Sequence, residues 1–217
     1  MDKIKNRSLA VYGDSISCGI FTGPNDTAPD STVDKPWHKI VCEELGFENR
    51  NYSVSGISAS RTSAVMSGSA LSLCYDRIEG EPGIIIIAVG TNDFGTGVPV
   101  GCPDDISDVS FYGALNVICA GITEKHPESR IFWLLSLGRK GAERNGTGAS
   151  LDDYRGAIRA VSERYGIKAI DCSLYGFRSD DPTVIAETMR DGVHIDRRGH
   201  SLLAAAVIAF LKEQKTV

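Results

Sequence analysis

"GIIIIAVGTND" (residues 83–93) runs four isoleucines, an alanine and a valine together and then breaks into glycine, threonine, asparagine and aspartate. A strand with one wet face alternates apolar and polar residues. A run apolar at every position instead predicts a strand covered on both faces, as in a parallel sheet with helices on either side. Four further β-rich stretches follow the same logic: "SLAVYG" (8–13), "ENRNYSV" (48–54), "RIFWLLS" (130–136) and "GIKAID" (166–171). Segments with helical spacing separate them, so the fold class is α/β.

The helix signals agree. "SLDDYRGAIRAVSERYG" (150–166) opens on Ser150 with Asp153 three places on, a near capping box, and closes on Gly166. "DKPWHKIVCEELG" (34–46) has Pro36 near its start and Gly46 at its end, and "DVSFYGALNVICAGITEKHP" (108–127) is stopped by Pro127. "RRGHSLLAAAVIAFLKEQ" (197–214) carries an apolar stripe that should dock on the sheet. With 217 residues, 42% hydrophobic, and no repeat or linker, one domain over 1–217 is expected.

Bulk charge narrows the partners. A formal charge of −5 with no basic run argues against nucleic acid or an anionic membrane, leaving a small molecule or carbohydrate as the expected partner. No apolar stretch approaches the ~20 residues of a membrane-spanning helix, and the first residues lack the ~7 to 15-residue apolar stretch of a secretory signal. The chain as given therefore reads as cytoplasmic, a reading that leaves open secretion of a processed form. Its six cysteines (18, 42, 74, 102, 119 and 172) show no C-x-x-C and no neighbouring histidine, which points to free thiols and away from zinc.

In an open parallel sheet, ligands bind beyond the carboxyl ends of the strands. Those ends carry Gly13-Asp14-Ser15, then "SVSGISAS" with Gly56, then Gly90-Thr91-Asn92-Asp93, and ahead of the last helix Asp191-Gly192-Val193-His194. Together they hold complementary parts. A serine needs a base to become a nucleophile, histidine suits that task near neutral pH, and a carboxylate fixes its tautomer. Asp191 and His194, three positions apart, can meet on one short turn. An oxyanion needs donors, which the N–H groups of Ser15 and Gly56 and the Asn92 side chain can supply.

These four blocks, in this order, resemble the SGNH hydrolases, or GDSL esterase/lipase family, over nearly the whole chain. The resemblance implies Ser15 as nucleophile, His194 as base, Asp191 as its orienting carboxylate, and Ser15, Gly56 and Asn92 as the oxyanion hole. It also implies a three-layer α/β/α sandwich with a flavodoxin-like five-stranded parallel sheet ordered 2-1-3-4-5, and chemistry needing no metal or organic cofactor. No G-x-S-x-G occurs, as expected for such an enzyme.

Plainer roles compete at several positions. Ser17 reads as a turn hydroxyl, Asp14 and Asp93 as acids that fix loops, His38 and His126 as surface residues on helices, and His200 as a packed or solvent-facing residue at the start of the last helix. "GTGVPVG" (95–101) is no G-x-G-x-x-G, because position 100 is Val100, and "GRKGAERNGTG" (138–148) lacks the P-loop ending. The loops at 94–108 and 138–150 are expected to wall a substrate cleft. Their Gly, Asp, Ser and Arg content favours short-acyl esters, acetyl groups on carbohydrate among them. A lysophospholipase or thioesterase with a longer groove, and a non-catalytic binding module on the same fold, are the alternatives.

Overall fold

The structure, a computed structural model, describes residues 6–23, 31–63 and 70–215. Seven strands and six α-helices follow one another along these residues: β1 (Ser8–Gly13), β2 (Ile20–Phe21), β3 (Ser31–Thr32), α1 (Trp37–Leu45), β4 (Glu48–Asn51), β5 (Ile84–Ala88), α2 (Thr91–Thr96), α3 (Phe111–Lys125), β6 (Arg130–Leu134), α4 (Leu151–Arg164), β7 (Lys168–Ile170), α5 (Pro182–Thr188) and α6 (Arg197–Glu213). Five of the strands form one parallel sheet in the order β4-β1-β5-β6-β7. Numbered among themselves, these five have the expected order 2-1-3-4-5. β2 and β3 make a separate antiparallel pair.

The isoleucine run explains the layering. Ile85 and Ile87 point into a core shared with Phe111, Leu115 and Ile118 of α3 and Tyr154 and Ile158 of α4. Ile84 and Ile86 point the other way, into a core with Trp37 and Val41 of α1 and Leu203, Val207 and Phe210 of α6. Alternate side chains of one strand thus serve two cores, and each fully buried isoleucine contributes about 1.5–3 kcal/mol. β4 lies at the sheet edge and is polar, so its four residues are exposed or half-buried.

The helix boundaries follow the local chemistry. Ser150 and Asp153 form a complete capping box at α4, with the Asp153 N–H on Ser150 Oγ and the Ser150 N–H on Asp153 Oδ2. Pro36 is the N-cap of α1, and Gly46 closes that helix with φ +70°. α2 occupies the start of the segment expected as a loop from residue 94, and α5 is a helix not expected from the sequence. All six cysteines are free, and no described helix is long and apolar enough to cross a membrane.

The histidine expectations need correction. His38 and His126 are buried, not on the surface. His38 bonds the Ser17 carbonyl (3.0 Å) and the Asn49 amide (2.9 Å), so it ties α1 to both the β1 turn and β4. His126 caps α3, with Glu81 3.7 Å from its ring. His200 is packed, its Nδ1 accepting the Trp37 N–H at 3.2 Å.

Candidate active site

β1 ends where Gly13 lets the chain fold back on itself. A Cβ there would stand 2.3 Å from Ser17 Oγ, so only glycine fits. The next residues turn tightly, the Cys18 N–H reaching the Asp14 carbonyl (2.9 Å) and the Ile20 N–H the Ser15 carbonyl (3.0 Å). The Asp14 carboxylate accepts the Ile16 N–H at 2.9 Å and clamps the turn from beneath. Ser17 is buried against Gly13, its hydroxyl accepting the Trp37 indole N–H at 3.1 Å. Ser15 is left facing the carboxyl edge of the sheet.

There it meets a residue 179 positions away. Ser15 Oγ is 2.8 Å from His194 Nε2, and His194 Nδ1 is 2.7 Å from Asp191 Oδ2. A carboxylate only accepts, so Nδ1 carries the hydrogen and Nε2 is free to accept from the serine hydroxyl. The Asp191 Oδ1 atom accepts the N–H groups of Val193 (2.9 Å) and His194 (2.8 Å), which fixes the acid to its own turn. The Thr22 hydroxyl donates to Oδ2 at 2.9 Å. Partial burial pushes the Asp191 carboxyl up, and these hydrogen bonds outweigh it, holding the group below the usual carboxylate range.

The second and third blocks are pinned to each other. Asn92, in the first turn of α2, donates from Nδ2 to the Ile57 carbonyl at 2.7 Å, and Asp93 accepts the N–H groups of Ala59 (2.8 Å) and Ser60 (2.9 Å). Gly56 precedes this pinned segment with φ +78°, the left-handed region that favours glycine. Among the described residues no protein acceptor meets the N–H of Ser15 or of Gly56. Asp14 and Asp93 are deeply buried, and burial pushes their carboxyls up to about 6 and about 7. Both act on backbone N–H groups of the loops around Ser15.

Two residues that the sequence reading passed over also belong here. Thr22 lies just past β2, in a stretch with no motif. Arg139 follows β6, its Nη1 donating to the Thr91 carbonyl at 3.2 Å and its guanidinium lying 5.6 Å from the Phe94 ring centre. The loop that carries Arg139 is joined to the histidine turn, because the Lys140 N–H donates to the Gly192 carbonyl at 2.8 Å. No group of three or more described His, Cys, Asp or Glu side chains has the arrangement of a metal site.

The sequence matches the GDSL-like Lipase/Acylhydrolase family over residues 11–202. The chain belongs to that family. This GDSL hydrolase shares its fold with several solved structures. One is a protein from Lactobacillus plantarum, 22% identical with a TM-score of 0.82 over 96% of this chain and 97% of that one. Another is a possible lipase from Chitinophaga pinensis, 15% identical with a TM-score of 0.75 over 97% and 99% of the two chains. A third is an active-site mutant of a family two carbohydrate esterase from Clostridium thermocellum, 17% identical with a TM-score of 0.60 over 99% of this chain and 65% of that one. At these identities the likeness is one of fold. Among curated proteins none matches the sequence of this GDSL hydrolase.

Proposed function

We propose that this GDSL hydrolase is a serine carboxylic-ester hydrolase working through an acyl-enzyme. The observation that carries the reading is the hydrogen-bonded line from Ser15 Oγ through the His194 ring to the Asp191 carboxylate, at 2.8 and 2.7 Å. Ser15 Oγ attacks the ester carbonyl as its proton passes to His194 Nε2. Charge then collects on the former carbonyl oxygen, opposite the N–H groups of Ser15 and Gly56 and the second N–H of the Asn92 amide. The C–O bond breaks as His194 returns the proton to the leaving alcohol. Water repeats the sequence on the acyl-serine and releases the acid.

Short-acyl esters, including acetyl esters of carbohydrate, are the favoured substrates. The polar loops around the site support this, as does the fold likeness to a carbohydrate esterase. The test compares acetyl and decanoyl p-nitrophenyl esters with wild type and Ser15→Ala. Turnover that favours acetyl and vanishes in the variant is expected. A fluorophosphonate should label wild type at Ser15, and an unlabelled, inactive wild type would point to the binding-module alternative.

A further inference from the structure

Beside the histidine turn lies a cleft of about 590 Å³ whose lining includes Arg139, Lys140 and Arg190. Two acids also line it, and they do not cancel these cations. Asp180 is held in a two-pronged pair at 2.9 and 3.0 Å by Arg155, which also pairs with Asp152, and Glu143 is the second, so three positive side chains face two acids in the lining. Arg139 is the half-buried member. Its Nη1 is committed to Thr91, while no acceptor among the described residues meets its Nε or Nη2. That leaves free one edge of the guanidinium, the edge whose two parallel N–H groups match the oxygens of a carboxylate. The guanidinium carbon also lies 5.6 Å from the centre of the Phe94 ring.

The cleft adjoins the turn that carries His194 through Gly192, which puts a group bound there on the histidine side of an ester held at Ser15. His194 must lie on the side of the leaving oxygen to return its proton. Two carboxylates act on Arg139 through space without bonding it: Asp191, which already accepts from four donors, and the buried Asp14, which accepts the Ile16 N–H. We propose that Arg139, with Lys140 and Arg190 at the rim, forms a carboxylate subsite for the alcohol half of the substrate, so that the preferred esters are acylated hydroxy acids. The proposal rests on the esterase reading for its catalytic consequence, though binding at the subsite does not need turnover.

The test pairs 4-acetoxyphenylacetate with its neutral isostere 4-acetoxyphenylacetamide. Wild type should favour the carboxylate by about tenfold or more in kcat/KM, as expected for a charge-assisted pair. In Arg139→Gln that ratio should collapse toward one, chiefly through KM, whereas a purely structural loss lowers both substrates alike and leaves the ratio intact. A ratio near one in wild type, or one that persists in the variant, overturns the proposal. A second arm titrates 4-hydroxyphenylacetate and its amide into Ser15→Ala, with and without Arg139→Gln. Carboxylate-selective binding that Arg139→Gln removes supports the subsite even where neither ester turns over, an outcome that would count against the esterase reading alone. Equal binding of acid and amide overturns the subsite.

Discussion

Replacing Asp191 by asparagine tests whether the acid acts by fixing the histidine tautomer. The two oxygens of Asp191 are not equivalent, since Oδ1 faces two backbone N–H groups and Oδ2 faces the Thr22 hydroxyl and His194 Nδ1. Backbone donors cannot reverse. An asparagine that set its NH₂ against them would forfeit two hydrogen bonds of about 1 kcal/mol each, so its oxygen takes the Oδ1 place and its NH₂ the Oδ2 place. The Thr22 hydroxyl can rotate and accept. His194 Nδ1 must then accept as well, which moves the ring hydrogen to Nε2, opposite Ser15 Oγ, where it can no longer take the serine proton. The exchange also removes the charge that stabilises the imidazolium. In the serine-protease triad the same exchange lowers kcat about 10⁴-fold. Here a loss of about 10³ to 10⁴ is expected, or roughly 4–5 kcal/mol of barrier. Because the turn keeps both backbone bonds, stability should fall by only about 1 kcal/mol and the melting temperature by about 2–4 °C. Burst and steady-state kinetics give the first number. Ring ¹⁵N NMR of His194 reads the tautomer directly. Turnover within tenfold of wild type, or a ring still protonated at Nδ1, would refute the reasoning.

Three further substitutions probe neighbouring parts. Asn92→Ala should lower kcat by about 10² to 10³ with KM little changed, and should cost about 1 kcal/mol of stability because the Ile57 carbonyl loses its donor; a rate within a few-fold of wild type would remove Asn92 from the oxyanion role. Ser17→Ala should keep its turnover yet lose about 1–3 kcal/mol in denaturant unfolding, since the buried Trp37 indole N–H loses its acceptor; loss of activity in a folded variant would contradict the separation of the two serines. His200 is buried, and burial, with His38 nearby, pushes it down to about 3 from an ordinary 6.5. Its neutral form therefore supports the fold fully above pH 6.5, and that support is lost as pH falls toward 3, about 2 kcal/mol of it by pH 5. Asp14 and Asp93, raised to about 6 and about 7, act with the opposite sign, favouring the fold as pH falls through those values. Both terms are shared by wild type and His200→Asn, so the difference in their stability change between pH 7 and pH 5 isolates His200. A difference near zero would contradict the assignment.

The periodic parts of this protein were legible in its sequence because burial leaves a periodic mark. Four isoleucines in a row have no polar alternate, which is why Ile84 and Ile86 face one core while Ile85 and Ile87 face the other. α5 leaves a mark of another kind. Asp181 followed by Pro182 is an N-cap with proline at the first helical position, and the Asp181 side chain does accept the Thr183 N–H. The surface expectation for His38 fails although a polar residue on a helix ordinarily faces water. It shares the face of Trp37, Val41 and Cys42, the 1-4-5 spacing of a buried stripe, and the Ser17 carbonyl and Asn49 amide satisfy it there.

The candidate site obeys no such periodicity, and this sets how far a single sequence could carry it. Ser15 and His194 share a hydrogen bond across 179 residues. Composition and spacing do not encode that contact, so the family resemblance, and not the local pattern, pointed to it. Asp191 and His194 differ in this respect, because a three-residue separation on one turn makes their meeting a local event that the backbone alone can arrange. Thr22 and Arg139 sit at the opposite extreme. Each comes from a loop, each acts through one or two polar contacts, and neither lies on a periodic face or in a motif. Hydrogen bonds join whichever donor and acceptor the packed elements bring together. Residues that tune a site from the loops therefore become visible only once the sheet, read from its apolar runs, has fixed where those loops begin and end.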